Sequence, residues 1–509
     1  MAKKKDDKRS GSKSEIPGEC NLDGDYISPI KTARDYLSFA NIKSLVLGSR
    51  YVQVLILFVV AGSFLRFFDL GFNSIWLDEA TTYYQSLLSP LQIWQSMNLT
   101  EFNPPLFYWM EHFMLMLGKS EIILRFIPAV VGILTIPLLY VIGKEFFDKN
   151  VGIIAAAAWA VSPFMIYYSQ EARAYAVMLF FISLAIIFYL RAFKNSTLTN
   201  WTLFGLFSAV AFWAHFYVFI LIVALFIFPL FLWAPNIKNE LNNLKMLIIA
   251  GVVFLAITFP LIIVAVRLFG EEVTSANVFG MQGLMLVVET FNQISGFSYL
   301  LAVLFVCLFI VGVIQAFLID KTKGLFLTWT VLFTLCASYI LSSKMSLFPR
   351  HQMFIAIMFF TGVAISYKVF YSLWHHKAVV YLFVTVLVLV SVPVLATYYS
   401  EYSKDDWRGF AGYLEGKAHP GDEIVTVPGY MSQPLNFYYS NATAGTTESG
   451  ANSGRDLANL YAARDNSTIY FVVTQDIYAE DPAGDAVEWL NNNTKTIGHD
   501  GGIFLFSTR

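Results

Sequence analysis

Long runs of apolar residues, separated by short polar stretches, fill the chain from residue 51 to residue 399. An α-helix needs about 20 mainly apolar residues to cross the hydrocarbon core of a bilayer. The pattern therefore predicts a polytopic α-helical membrane protein with about 11 transmembrane helices. The predicted spans are 51–68, 122–143, 151–168, 174–191, 201–216, 217–233, 246–267, 298–318, 324–342, 350–370 and 378–399.

The polar stretches outside this membrane domain (49–400) predict three further parts. Residues 1–48 form a polar cytoplasmic tail, rich in charge. Residues 70–120 form a large outer loop, in which the amphipathic stretch 86–97 predicts a helix lying in the membrane interface. Residues 401–509 have the composition of a soluble domain. They predict a small extracytoplasmic α/β domain, with a helix from Asp405 and strands at 423–427, 468–473 and 502–506.

Composition and charge exclude a soluble protein and orient the chain. The 509 residues are 57% hydrophobic and only 14% charged, whereas soluble domains are about 25% charged. Counted with eleven spans and an inner N-terminus, every inner loop carries Lys or Arg, as the positive-inside rule requires. The chain is therefore predicted to be a multi-pass plasma-membrane protein with a cytoplasmic N-terminus and an extracytoplasmic C-terminal domain. The basic residues of those loops include Lys144, Arg191, Lys238, Lys321 and Lys368.

Cysteine and glycine patterns limit the chemistry that the chain can support. The three cysteines have neither a disulfide framework nor metal-ligand spacing. Glu101, Glu111 and His112 lie close together, but their spacing does not form a convincing metal site. No metal ligand is assigned, no cofactor is certain, and a divalent metal is left open. Because no phosphate-cradling glycine motif occurs near the polar clusters, a soluble nucleotide donor is not indicated, and no nucleic-acid partner is predicted.

Two adjacent acids, Asp78 and Glu79, follow the first span. They lie beside the aromatic residues Trp76 and Tyr83, where the chain leaves the membrane. Charged side chains at such a boundary are costly to place without a use. The pair is either a solvated loop start or contains a catalytic base at the membrane–water interface.

Further polar clusters fall between later spans. Glu171 and Arg173, beside Tyr175, link the third and fourth spans, and they either pair with each other or face a cavity. His215 and its neighbour Tyr217 are a packed aromatic cluster or part of a site. Two arginines at span mouths are snorkelling anchors or bind an anionic headgroup, which suits a guanidinium fork. They are Arg350 and Arg125, and the structural alternative is favoured for Arg125.

These acids and cations converge on one face of the membrane from loops far apart in sequence. A carboxylate base, arginines that neutralise phosphate and aromatic side chains that contact sugar or lipid suit an enzyme for a lipid-linked, phosphate-bearing substrate. The main alternative is a transporter or lipid flippase, which would place ionisable groups near the bilayer midplane. A further alternative is an inert scaffold whose outer domain binds a partner.

The motifs in these clusters resemble glycosyltransferase family 39, the dolichyl-phosphate-mannose protein mannosyltransferases and their prokaryotic relatives, which include the lipid A aminoarabinose transferases. The resemblance covers roughly residues 50–360 and implies a membrane-embedded fold of the GT-C type. It rests on Leu77-Asp78-Glu79-Ala80, Asn103-Pro104-Pro105, Arg125-Phe-Ile-Pro128, Ser162-Pro163, Gln170-Glu171-Ala-Arg173 and Pro349-Arg350.

The resemblance implies transfer of a sugar from a polyprenyl-phosphate donor to a hydroxyl of a protein, glycan or lipid acceptor at the outer membrane face. By position, Asp78 matches the proposed catalytic base, Glu171 the second acid and Arg350 the late arginine that binds carrier phosphate. Asn103 stands where many relatives have His or Lys. We predict that Asp78, helped by Glu79, activates the acceptor hydroxyl and that Glu171 positions the acceptor or supports the base. Arg173 is predicted to assist Arg350, and a single displacement inverts the configuration at the sugar. The predicted substrate-binding residues are Tyr83, Asn103, Tyr175, His215 and Tyr217.

Overall fold

The computed structural model describes residues 48–97, 102–274, 280–401, 403–464, 467–500 and 502–509, and Phe58–Arg509 form one compact unit. The predicted tail at 1–48 and residue Glu101 lie outside the described residues, apart from the last residue of the tail. In chain order the α-helices are α1 Arg50–Phe67, α2 Leu77–Ser86, α3 Pro90–Ser96, α4 Leu106–Met114, α5 Glu121–Phe146, α6 Lys149–Val161, α7 Pro163–Ser169, α8 Tyr175–Lys194, α9 Leu198–Ala214, α10 Phe219–Trp233, α11 Leu241–Thr274, α12 Gly283–Ile294, α13 Tyr299–Ile319, α14 Lys321–Leu341, α15 Ile355–Ile365, α16 Tyr367–Trp374, α17 Ala378–Ser400, α18 Trp407–Glu415, α19 Ser432–Tyr438, α20 Asn441–Ala444, α21 Gly454–Ala463, α22 Ile477–Glu480 and α23 Asp485–Asn493.

Every predicted span coincides with helix in the structure. Among the described residues, nine helices are long and apolar enough to cross a membrane, or ten if the bent pair α6 and α7 is one span. The remaining predicted span, 201–216, is the shorter apolar helix α9. The chain is therefore an integral membrane protein. The tenth predicted span begins later than expected, because Arg350 lies in the 3₁₀ turn Pro349–Gln352 that precedes α15.

The third predicted span is bent by 59° between α6 and α7. Pro163 has no N–H to donate to the carbonyl of Trp159, so the helical ladder is interrupted at this point. The buried Arg66 replaces the missing donor: its Nη2 donates to the Trp159 carbonyl at 3.1 Å and its Nη1 to the Ala160 carbonyl at 3.0 Å. The bend redirects α7 and sets the course of the loop that carries Glu171.

The single interfacial helix predicted at 86–97 is wrong in its bounds. The chain instead forms α2 and α3, which are separated at Leu87–Ser89. The Ser89 hydroxyl accepts a hydrogen bond from the N–H of Gln92, and the side-chain oxygen of Gln92 accepts one from the N–H of Ser89, while Pro90 occupies the first turn. These are strong signals for a helix start at Pro90, so the interfacial helix begins four residues later than predicted, and Ser86 belongs to the preceding helix.

The C-terminal residues form a five-stranded sheet with helices on both faces. The strands are β1 Glu423–Val427, β2 Thr447–Gly450, β3 Ile469–Val473, β4 Lys495–Asp500 and β5 Ile503–Ser507. Their order in the sheet is β2-β1-β3-β5-β4, with β1 parallel to β2 and β3, and β5 antiparallel to β3 and β4. The three strands expected from sequence are confirmed, whereas β2 and β4 were not predicted, because their sequences are largely polar.

This sheet domain docks on the loop that carries α2. The N–H of Ile75 donates to the Tyr438 hydroxyl at 2.9 Å, and that hydroxyl donates to Glu121 at 2.6 Å. Ser74 donates to Asp406 at 2.7 Å, at the start of α18. The domain therefore packs directly against the segment that contains Asp78 and Glu79.

The predicted orientation can be tested with two exposed positions on opposite predicted sides. We expect Ala442→Cys, on α20 of the sheet domain, to react with a membrane-impermeant maleimide in sealed right-side-out vesicles. Thr199→Cys, near the start of α9, should react only after permeabilisation. Both changes are made in a chain whose three native cysteines are replaced. Labelling of Thr199→Cys in sealed vesicles would overturn the predicted topology.

Candidate active site

Asp78 lies in the first turn of α2, and its side chain is 24% exposed. It opens onto a cavity of about 290 Å³, whose walls come from segments widely separated in sequence. Trp76 is extended and the helix begins at the next residue, Leu77. Asp78 therefore lies in the first helical turn. The other lining residues are Phe102, Asn103, Pro104, Arg173, Tyr175, His215, Phe216, Tyr217, Ser346, Phe348, Arg350 and His351.

Two arginines lie beside Asp78 on the wall of this cavity. The Nε of Arg173 and the Nη2 of Arg350 each lie 3.9 Å from Oδ2 of Asp78. These are ion-pair distances too long for hydrogen bonds. Arg350 packs on the ring of Phe348, 4.4 Å from its centroid, and its Nε has no hydrogen-bond acceptor among the described residues. One carboxylate and two guanidinium groups give this wall a net positive charge, which favours an anionic ligand.

Aromatic and histidine side chains form another part of the cavity lining. The rings of Tyr217 and His351 are stacked, with centroids 4.6 Å apart and an interplanar angle of 11°. His215 is buried, lies 5.2 Å from the Tyr175 ring, and its Nδ1 has no hydrogen-bond partner among the described residues. Burial, together with the charges of Arg173 and Arg350, lowers the pKa of His215 to about 3. His215 is therefore a neutral imidazole that can exchange a hydrogen bond with a polar ligand.

Glu79 points away from the cavity into a buried ion-pair network. Arg125 donates two hydrogen bonds to it, both at 2.7 Å, and the N–H of Ala172 donates a third at 2.9 Å. Lys404 donates a fourth at 3.0 Å. Burial alone would raise the pKa of Glu79, but the Arg125 and Lys404 charges and these hydrogen bonds hold it at about 2. Glu79 therefore holds neighbouring segments of the site together and does not line the cavity.

Glu171 is also buried behind the cavity wall. Neither of its carboxylate oxygens accepts a hydrogen bond from any described residue, although Lys404 Nζ lies 3.7 Å from Oε2. Burial raises its pKa to about 7; the Lys404 charge opposes that shift and the Glu79 and Asp78 charges add to it. Glu171 therefore changes charge near neutral pH without lining the cavity.

The structure brings most of the predicted site residues to one cavity: Asp78, Arg173, Arg350, Asn103, Tyr175, His215 and Tyr217. Tyr83 is not among them, because its ring packs edge-on against Phe437 of the sheet domain, with centroids 4.9 Å apart. Sequence reasoning did not single out His351, Phe348 or Lys404. The first two could have been found as neighbours of Arg350. Lys404 gave no signal, because it is a single lysine at the start of an acidic domain.

The side chains of the described residues do not form a recognisable metal site. They contain no group of three or more His, Cys, Asp or Glu side chains that could hold a metal ion.

Comparison with known proteins supports the resemblance seen in the motifs. A family model described as dolichyl-phosphate-mannose-protein mannosyltransferase matches residues 103–264. The match includes Asn103, Arg173 and His215 of the cavity, and Glu171 behind it. None of the curated proteins matches the sequence.

Two solved structures share the fold over most of the chain. ArnT from Cupriavidus metallidurans, bound to undecaprenyl phosphate, is 13% identical with a TM-score of 0.56, and the match covers 92% of this chain and 98% of that one. The oligosaccharyltransferase AglB from Archaeoglobus fulgidus, in complex with an inhibitory peptide and a dolichol-phosphate, is 14% identical with a TM-score of 0.55. That match covers 91% of this chain and 75% of AglB. The chain thus resembles glycosyltransferase family 39, the dolichyl-phosphate-mannose protein mannosyltransferases, and its fold is the GT-C type that it shares with ArnT and AglB.

Proposed function

We propose that the protein is a membrane glycosyltransferase that moves a sugar from a polyprenyl-phosphate donor to an acceptor hydroxyl at the outer membrane face. The observation that carries this proposal is the cavity in which Asp78 faces Arg173 and Arg350. The family model and the two structures, solved with undecaprenyl phosphate and with a dolichol-phosphate, support the same class of donor. The acceptor is a protein, a glycan or a lipid.

The charges and size of the cavity suit the head of such a donor. The two arginines outnumber the carboxylate, so a donor phosphate is attracted and can take the guanidinium groups from Asp78. A volume of about 290 Å³ is at the lower end of ligand pockets, which span about 300–1,000 Å³. We therefore expect a single sugar unit in the cavity and the polyprenyl chain outside it, in contact with the bilayer.

In the proposed reaction, Asp78 accepts the proton of the acceptor hydroxyl, and the acceptor oxygen attacks the anomeric carbon. The bond between that carbon and the phosphate oxygen breaks, and its electron pair leaves with the polyprenyl phosphate. Arg350 and Arg173 stabilise the negative charge that grows on the phosphate. A single displacement of this kind inverts the configuration at the sugar. Glu79 and Glu171 support the geometry from behind the wall.

The aromatic and histidine part of the lining is proposed to bind the sugar. The stacked rings of Tyr217 and His351 offer an apolar surface, and the unpaired Nδ1 of the neutral His215 is available to a sugar hydroxyl. Asn103 and Tyr175 add polar groups to the same lining. Tyr83 is not proposed as a sugar ligand, because it packs against the sheet domain.

The alternative of a transporter or flippase is less well supported. Asp78, Arg173 and Arg350 lie between the membrane helices and not at their centres, whereas transporter sites form near the bilayer midplane. Purified protein incubated with labelled polyprenyl-phosphate sugars and hydroxyl acceptors separates these functions. Transfer of label to an acceptor supports the proposal. Movement of donor across vesicles without transfer would support the transporter.

Arg350→Ala is expected to weaken donor binding by about 30-fold, since removing one partner of a charge pair that the bound donor would bury costs about 2 kcal/mol or more. Arg350→Lys should lose less donor affinity than Arg350→Ala, because lysine keeps the charge although it lacks the planar guanidinium fork. Equilibrium binding of a polyprenyl phosphate to the purified variants measures this effect. Arg267→Ala is the control, because Arg267 forms a partly exposed ion pair with Glu271 and does not line the cavity. Unchanged affinity in both Arg350 variants would make Arg350 a membrane anchor only.

A further inference from the structure

Lys404 lies between α17 and α18, in the segment that enters the sheet domain, yet its side chain is only 6% exposed. Its Nζ donates to Glu79 at 3.0 Å and lies 3.7 Å from Glu171. The ammonium group is also 5.6 Å from the ring centroids of Trp76 and Tyr167. A lysine is rarely buried unless its charge is paired. Its position therefore points to a specific task.

That task follows from the charges around it. The buried acids Glu79 and Glu171 face two buried cations, Arg125 and Lys404, and Arg125 is bonded to Glu79 through both of its hydrogen bonds to carboxylate. Lys404 is the one cation within ion-pair distance of Glu171 among the residues that the structure describes. Without Lys404, two buried carboxylates would share a single cation, which is a costly arrangement.

The same contacts connect Lys404 to the cavity wall. Glu79 follows Asp78 in the first turn of α2, and Glu79 also accepts the N–H of Ala172, in the loop that carries Glu171 and Arg173. Three segments therefore meet at one ammonium group: α2, the loop 170–174 and the entry to the sheet domain. Two of these segments supply cavity residues.

We propose that Lys404 is a positioning residue of the active site: it ties Glu79 to Glu171 and thereby holds Asp78 and Arg173 toward the cavity. The inference rests on the proposed function. It assigns the sheet domain a part in building the site, through a residue that touches neither donor nor acceptor. Mispositioning of reacting groups by about 1 Å can cost about 100-fold in rate.

The proposal predicts a specific dependence on pH. Lys404 favours the ionised form of Glu171, so its removal raises the pKa of Glu171 further above its present value of about 7. Glu171 then stays protonated over a wider pH range. The other titratable and charged groups that act on Glu171 are Glu79, Asp78, Arg350, Tyr167, Tyr168, Tyr175 and Tyr398.

The test compares Lys404→Met with Lys404→Arg in full-length protein. In Lys404→Met we expect kcat to fall about tenfold or more, with a smaller change in KM, and the acidic limb of the pH–rate profile to move to higher pH. Lys404→Arg should restore both the rate and the limb, because it returns the cation. Lys417→Met, at an exposed lysine of the same domain, is the control and should behave as wild type. A wild-type kcat and pH profile in Lys404→Met would overturn the proposal.

A second variant covers loss of folding. Should Lys404→Met not fold, Glu171→Gln combined with Lys404→Met restores the balance of one buried acid to one buried cation, and we expect it to fold. The acidic limb of its pH–rate profile should not be shifted to higher pH, because the titrating carboxyl of Glu171 is absent. If the combined variant keeps the shifted limb, Glu171 is not the group that Lys404 controls and the proposal fails.

A readout without sugar transfer separates this proposal from the proposed function. Because the pKa of Glu171 is raised when the protein folds, its stabilising contribution is present below about pH 4.5 and is lost as pH rises through about 7. In Lys404→Met the loss should continue above pH 7, and Glu171→Gln should remove it. Melting temperature against pH measures this effect even if no sugar is transferred. Identical profiles for wild type and Lys404→Met would overturn the coupling.

Discussion

Asp78→Asn is expected to slow sugar transfer at least about 100-fold, since loss of a general base typically costs about 10²–10⁴-fold in rate. Asparagine keeps the size and hydrogen bonding of the side chain but cannot accept a proton. Donor binding should persist or strengthen, because Arg173 and Arg350 lose the carboxylate that lies 3.9 Å from each of them. A fall in kcat without a rise in KM would identify a role in the transition state.

The control for this prediction is Asp69→Asn, the same chemical change at an exposed residue on the loop after α1. Asp69 has a φ of 50°, a conformation that asparagine tolerates well. This variant should transfer sugar at the wild-type rate. If Asp78→Asn also transfers at the wild-type rate, the base is a different group and the catalytic assignment fails.

Arg125→Met is expected to destabilise the protein by about 3–5 kcal/mol, because it leaves Glu79 buried without its bidentate partner. Arg125 is 2% exposed, and it also donates to the carbonyls of Leu70, Asn73 and Ser74. Methionine has a similar length and adds no polar group. Thermal unfolding of the protein in detergent measures the effect as a large fall in melting temperature.

Arg191→Met provides the matched comparison for the buried pair. Arg191 lies 3.7 Å from Glu145, but its side chain is 42% exposed, and Lys194 already pairs with the same acid at 2.7 Å. Exposed pairs contribute about 0–1 kcal/mol, so this variant should melt close to wild type. Equal effects of the two substitutions would show that burial adds nothing to the Arg125–Glu79 pair.

The membrane helices were predictable because span length and apolar content follow directly from the bilayer. The bend at Pro163 was not, since its stability depends on the donors of Arg66, which is distant in sequence. Asp78 was placed ahead of Glu79 only through the family resemblance, because the local sequence pattern does not distinguish the two acids. Adjacent residues on a helix point about 100° apart, so one faces the cavity and the other the buried network, and the sequence does not give the rotation of α2.

The residues of the candidate site that could be predicted are those that lie in recognisable sequence motifs. Arg173 and Arg350 lie in segments with recognisable patterns and reach the cavity as expected. Tyr83 lies beside the acids in sequence, but the sheet domain covers it, and that docking depends on the packing of Phe437. Contacts between segments hundreds of residues apart leave no local periodicity, so Lys404 could be found only from the folded structure.

The separation of Glu171 and Lys404 along the chain also has a consequence for biosynthesis. Domains generally form in the order in which ribosomes make them, at about 5–20 residues per second. Arg125 follows Glu79 closely, so that ion pair can form early, while most of the membrane helices are still to be made. Glu171 must wait for Lys404, which is synthesised on the order of ten seconds or more later. A nascent chain of this protein therefore carries Glu171 without Lys404 through most of its insertion, and the candidate site is completed only after the last domain has been made.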